Sequence, residues 1–154
     1  MQNVEFLLRA AISAAASARE HGNHPFGALL TDEQGNILLI AENTVNTGGD
    51  ATGHAETNLV REASQKYSFE ELSRSTLYSS TEPCPMCSGA IFWSGIGKVV
   101  YALSEERLYA LSVHSTESLK LACRDVLARG GRPVEVNGPF IEDEAVQVHV
   151  GFWE

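Results

Sequence analysis

His54-Ala55-Glu56 and Pro83-Cys84-Pro85-Met86-Cys87 carry the residue types from which a catalytic metal centre can be made. One imidazole and two thiolates hold zinc and leave a fourth position for water, and a carboxylate beside them can move protons. Each part alone says less. A lone histidine is commonly incidental, and a C-x-x-C pair serves equally in redox chemistry or in a closed structural zinc site. Redox use of the cysteines would leave His54-Ala55-Glu56 without a task. The third cysteine, Cys123, reads as a small buried hydrophobe.

These groups need a scaffold that brings two distant stretches together. Phe6, Leu7, Ala11, Ala14, Ala15 and Ala18 recur at helical spacing between Asn3 and Glu20, giving a helix with a small-residue face suited to close packing on a sheet. His21 to Pro25 ends it. Phe26–Leu30 and Ile37–Ala41 read as a hairpin around Asp32-Glu33-Gln34-Gly35-Asn36. Asn46 to Asp50 reads as a loop.

A helix is expected from Thr52 or Gly53, carrying His54, Glu56, Leu59, Val60 and Ala63. Residues two apart lie on different sides of a helix, so His54 and Glu56 can share a pocket only if it sits over the first turn. The free N–H groups of that turn also suit developing negative charge. Leu77–Ser80 should be a strand leading to Pro83, and Pro85 suits the first turn of a helix through Trp93, ended by Gly95 and Gly97. Lys98–Leu103 reads as a strand, Leu119–Leu127 as a helical run, Pro133–Asn137 as a strand and Glu142–Val150 as a helix. The long connection between the last two strands permits a parallel crossover. The pattern predicts one α/β/α domain over residues 1–154.

Composition narrows the partners. The chain has 154 residues, 44% of them hydrophobic, and carries a net charge of −9, which disfavours a nucleic-acid polyanion. No long apolar run and no secretory N-terminal pattern are present, so the expected setting is cytoplasmic and without a membrane partner.

The H-x-E and P-C-x-x-C signatures together resemble the zinc-dependent cytidine-deaminase superfamily, with Pro25-Phe26-Gly27-Ala28, Asn43, Thr81-Glu82, Gly89-Ala90-Ile91 and Trp93 extending the match. Across roughly Phe6 to Leu103 the chain is similar to bacterial guanine deaminases and tRNA adenosine deaminases. The resemblance implies a five-stranded mixed sheet, zinc on His54, Cys84 and Cys87, proton transfer by Glu56, and a homodimer. Asn43 would read a ring carbonyl and nitrogen, although it also suits a turn, and Ala55 would offer a backbone contact. Phe26 is a candidate to line the base pocket. Trp93 resembles an aromatic that approaches the neighbouring subunit's pocket, or else it packs locally.

Beyond Leu103 the match to guanine deaminases weakens. Glu105 and Glu106 are substitutes for the missing base-recognition acid or else solvated charges, and His114 is a further substrate candidate. Phe152 and Trp153 either close the pocket or dock a terminal helix. The implied substrate is a free aminated heterocycle whose amino group sits on a carbon between ring nitrogens, as in guanine, isocytosine or an aminotriazine. Cytosine or cytidine, a tRNA adenosine and a non-catalytic zinc-stabilised interaction role are the alternatives.

Overall fold

The computed structural model describes residues 3–111, 116 and 118–154. Helix α1 (Val4–Glu20) is capped by Asn3, whose side chain accepts the Phe6 N–H, and it buries Leu7, Leu8, Ala11, Ala14, Ala15 and Ala18. The alanines let it lie close on strand β1 (Gly27–Thr31). A Cβ at Gly27 would stand 2.4 Å from Ala11 O and 2.5 Å from Ala15 N, so only glycine permits this approach.

Strands β2 (Ile37–Glu42), β3 (Thr76–Thr81), β4 (Lys98–Leu103) and β5 (Glu135–Asn137) complete a sheet in the order β2-β1-β3-β4-β5. β1 pairs antiparallel with β2 and β3, while β3–β4 and β4–β5 are parallel. The sheet is therefore mixed, and the long connection before β5 does cross over, as its length suggested. Alternate strand residues serve opposite layers: Ala28, Leu30, Leu77 and Val99 join one buried cluster, and Leu29, Tyr78 and Val100 join the other. The second cluster holds α1. The first holds α3 (Ala55–Lys66), α5 (Pro85–Ser94) and α7 (Cys123–Ala128), completing the α/β/α layers.

Several local expectations need correction. The stretch expected as loop contains one turn of helix, α2 (Val45–Gly48), ended by left-handed Gly49. The buried Asn23 side chain accepts the Asn46 and Thr47 N–H groups and so holds this turn in place. α4 (Phe69–Ser73) was not anticipated, although Ser68 and Glu71 form a capping box that the sequence displays.

The helical run expected from Leu119 starts only at Cys123, because Glu82 Oε2 accepts the Cys123 N–H at 2.9 Å and fixes the start there. After α6 (Glu105–Ala110), the terminal helix is likewise shorter than expected: α8 (Glu142–Ala145) passes into a 3-10 turn over Val146–His149.

Candidate active site

The site lies over the first turns of two helices. His54 is the N-cap of α3 rather than a residue within it, with extended backbone (ψ 151°), and Glu56 follows in the first turn. Cys84 is the N-cap of α5, Pro85 fills the first helical position where a missing N–H costs least, and Cys87 lies one turn in. β2 and β3 both run antiparallel to the β1 between them and so end at the same edge of the sheet, and packing of α3 on α5 brings the two stretches together. The positive ends of both helices face the same place, which favours thiolate and carboxylate charge there.

His54 Nδ1 stands 3.5 Å from Cys84 Sγ and 3.5 Å from Cys87 Sγ, and the three ligand atoms lie within 4.8 Å of one another. Zinc bonds of about 2.3 Å to sulfur and about 2.0 Å to nitrogen, spread at a tetrahedral angle, put nitrogen and sulfur about 3.5 Å apart. The residues present therefore fit zinc, and His54, Cys84 and Cys87 form the ligand cluster typical of the superfamily. The Thr57 hydroxyl lies 3.2 Å from Cys87 Sγ and adds a polar neighbour to that sulfur.

The groups are electrostatically primed. Hydrogen bonds from the Cys87 thiol and then from His54 pull Cys84 down to about 4 despite its burial. Cys87 is pushed up, first by its bond to Cys84 and then by desolvation, so in the metal-free pair one sulfur holds the proton. Contact with Cys84 raises His54. Glu56 is only 6% exposed, and burial, followed by the Cys84 charge, pushes its carboxyl up to about 7. A carboxyl poised near neutrality can both take and give a proton at physiological pH.

A cavity of about 1420 Å³ opens beside these groups. His24, Phe26 and Trp153 contribute an aromatic wall, with Trp153 centred 6.1 Å from Phe26 and 5.7 Å from His24. Glu82, Glu105, Glu106, Asp125 and Glu142 line other parts of it, with Lys120 as the basic member among the described lining residues. The Glu82 carboxylate joins two of these parts, accepting the Glu105 N–H at 3.0 Å through Oε1 as well as the Cys123 N–H through Oε2. Burial, and then the Glu82 charge, raises Glu105 above the usual carboxylate range.

Of the sequence candidates, His54, Glu56, Cys84, Phe26, Trp153, Glu105 and Glu106 all border this cavity. Cys87 is fully buried beneath it as the third ligand. Asn43 is buried, and its Oδ1 accepts the Val45 N–H at 3.0 Å, which is the turn-stabilising arrangement; it is not among the lining residues. Ala55 is buried at the start of α3. Trp93 is 80% exposed, packs edge-on against Phe92 and does not border this chain's cavity. His114 lies outside the described residues. Cys123 is buried, and desolvation pushes it up to about 12, as suits a packing thiol.

Sequence reasoning passed over His24, Tyr109 and Glu142 as wall residues, and Glu82 as the tie between α6 and α7. The Thr81-Glu82 pair beside the cysteines was the available signal for Glu82. Nothing in local periodicity points to the other three.

Residues 1–103 match the family described as "Cytidine and deoxycytidylate deaminase zinc-binding region", and the chain belongs to that family. A Schizosaccharomyces pombe protein named "Probable cytosine deaminase" is 47% identical over 149 residues, covering 96% of this chain and 90% of that protein. Guanine deaminase of Bacillus subtilis is 38% identical over 102 residues, 66% of this chain and 65% of the relative. The solved structure of a guanine deaminase from Nitrosomonas europaea superposes with a TM-score of 0.79 over 96% of this chain and 83% of that one; at 23% identity this is likeness of fold. Family, fold and ligand cluster together make the chain a zinc-dependent deaminase in the general sense.

Proposed function

We propose that residues 1–154 act as one catalytic domain that hydrolytically deaminates a free one-ring aminopyrimidine of the cytosine or isocytosine type. The observation that carries this reading is the buried Glu56 carboxyl beside three ligand atoms spaced for zinc and bordering a cavity with an aromatic wall. Similarity to the Schizosaccharomyces pombe protein over nearly the whole chain supports the pyrimidine class. Trp153 in the wall supports a flat, small ring.

Zinc held by His54, Cys84 and Cys87 would supply Lewis-acid activation of water. Glu56 accepts a proton from the attacking water and passes it to the ring nitrogen next to the amino-bearing carbon. It then moves the remaining hydroxyl proton to the amine, the C–N bond breaks, and the products are a ring carbonyl and ammonia. The free N–H groups that open α3 suit negative charge developing nearby. Burial of Glu56 excludes bulk water from competing for the proton.

Guanine is the second reading, favoured by the cavity volume of about 1420 Å³, which leaves room for two rings. A tRNA adenosine fits less well, because six acidic side chains against one lysine among the described lining residues disfavour phosphate. A neutral free base avoids that repulsion. The expected homodimer would give the exposed Trp93 a partner surface, and sedimentation of the purified protein tests it.

Ammonia release should be measured from zinc-loaded protein with cytosine, isocytosine, guanine, an aminotriazine, adenine and the matching nucleosides, using Glu56→Gln as the blank. Turnover confined to the one-ring bases is the expected result. Turnover of guanine alone would replace the pyrimidine reading with the second one, and reaction only with a tRNA stem-loop would reject both.

A further inference from the structure

Val150–Glu154 is fastened to the domain chiefly by side chains. Its backbone contributes Val150 N–H to Gln147 O at 3.3 Å and Phe152 N–H to His149 O at 3.1 Å, both local bonds that do not reach the sheet. Such a segment would ordinarily fray. The distant Arg19 and the adjoining His149 hold it. Arg19, in the last turn of α1, donates through one nitrogen, Nη1, to Val148 O at 2.8 Å and to Val150 O at 2.7 Å, and its guanidinium lies 5.5 Å from the Phe152 ring centre. His149 is 2% exposed, and its Nδ1 accepts the Trp153 indole N–H at 3.0 Å with the two rings 18° from parallel. The opposite edge of the arrangement rests on Phe26, whose ring centre is 5.4 Å from that of His149.

The acceptor role fixes the tautomer. Nδ1 must be unprotonated to receive the indole proton, so the ring proton sits on Nε2, a buried atom without a hydrogen-bond partner among the described residues. Leaving one ring nitrogen unsatisfied costs stability, and a plain packing residue such as phenylalanine would avoid that cost. What histidine adds at this position is the bond to Trp153.

We infer that Arg19 and His149 are positioning residues that clasp the 150–154 segment and hold Trp153 as a fixed wall of the heterocycle cavity, so that the site prefers one ring to two. Neither touches the proposed substrate; both act through Trp153. This rests on the proposed function for its substrate consequence, whereas the clasp itself has its own readout. Trp93 and Trp153 are the two tryptophans of the chain, so Trp93→Phe leaves Trp153 as the sole indole reporter.

In that background, Arg19→Ala and His149→Phe should each raise acrylamide quenching of Trp153 about threefold and raise KM for the preferred one-ring base about tenfold, with kcat changed less than about threefold, because substrate positioning and not proton transfer is lost. His149→Asn should restore both values toward wild type, since its amide oxygen can accept where Nδ1 did. Arg19→Lys, which keeps the charge but not the planar fork, should fall between and covers a failure of Arg19→Ala to fold. Matching far-UV circular dichroism and zinc content qualify each variant.

Quenching unchanged in both Arg19→Ala and His149→Phe would overturn the clasp. His149→Phe behaving as wild type in both readouts would reduce His149 to packing. Increased quenching with an unaltered KM and unaltered preference between isocytosine and guanine would overturn the ring-size role. A wild-type protein inert towards every heterocycle would reject the deaminase reading and the ring-size role together, while the quenching would still decide whether the clasp exists.

Discussion

At the metal end of the cavity, His54, Glu56, Cys84 and Cys87 stand on the first turns of α3 and α5, whose other turns are packed against the sheet. The aromatic wall of the same cavity depends on Trp153, held by one indole hydrogen bond and by ring contacts with Phe26, His24 and Phe152. The first arrangement draws its precision from helix geometry and the second from a few side chains. On the proposed reading, the chemistry would be carried by the more rigid part of the fold, and the choice of ring by the part that can change with little cost to the core.

Changes at the metal end should be the most damaging. Cys87→Ala removes a ligand and is expected to abolish zinc retention and turnover together; full zinc content by elemental analysis would break the assignment. Glu56→Gln should keep zinc and lose about 10³-fold or more in kcat, in line with a proton carrier. If its turnover stayed within tenfold of wild type, proton transfer would have to be assigned to another group.

The two ends also answer pH in opposite directions. Glu56 in the metal-free fold holds its proton up to about 7 against 4.5 when exposed, so stability from this group is complete below about 4.5 and declines as pH rises to about 7. His149 is held neutral by burial, its pKa lowered from 6.5 to about 4, so its contribution is complete above 6.5 and declines as pH falls toward 4. A pKa displacement of that size corresponds to about 3 kcal/mol at most. Urea melts of metal-free protein across pH 4 to 8 should lose the alkaline-side slope in Glu56→Gln and the acid-side slope in His149→Phe. Slopes unaffected by either substitution would remove the titration argument for both ends.

Smaller effects remain in the walls. Glu105→Gln should alter KM severalfold with zinc content unchanged, because it changes charge beside the cavity without touching a ligand. Asn43→Ala should cost about 1 kcal/mol through loss of the bond to Val45 N–H. A larger loss in substrate use than in stability would restore Asn43 as a substrate contact.

This contrast also explains what the sequence made legible. The metal end consists of short motifs whose residue types have few other joint uses, and Pro85, the Gly95 terminus and the small-residue face of α1 mark the elements that carry them. The hairpin indicated the β1–β2 pair and the long connection permitted the parallel β4–β5 pair, whereas the place of β3 beside β1 has no local signal. Arg19 carries no local sequence signal of its role, because its carbonyl partners, Val148 and Val150, lie 129 and 131 residues away along the chain. His149 was hidden in an expected helix that the structure shortens. Glu82 likewise sets the start of α7 through a tertiary bond that propensity does not encode.

The crossover before β5 bears on how the molecule assembles. β1 and β2 are joined by a short turn, and the three ligand residues, with Glu56 among them, fall within His54 to Cys87, a stretch completed by β4. Much of the remaining cavity wall comes from Ser104 onward, including Tyr109, Asp125, Glu142 and Trp153. Contacts between distant residues require closure of longer loops, and their entropy cost delays them. Pulse-labelled amide exchange during refolding should therefore protect β1 to β4 before β5 and α8, and simultaneous protection would refute that order. A nascent chain would then acquire the means to capture zinc before the wall proposed to tell one heterocycle from another.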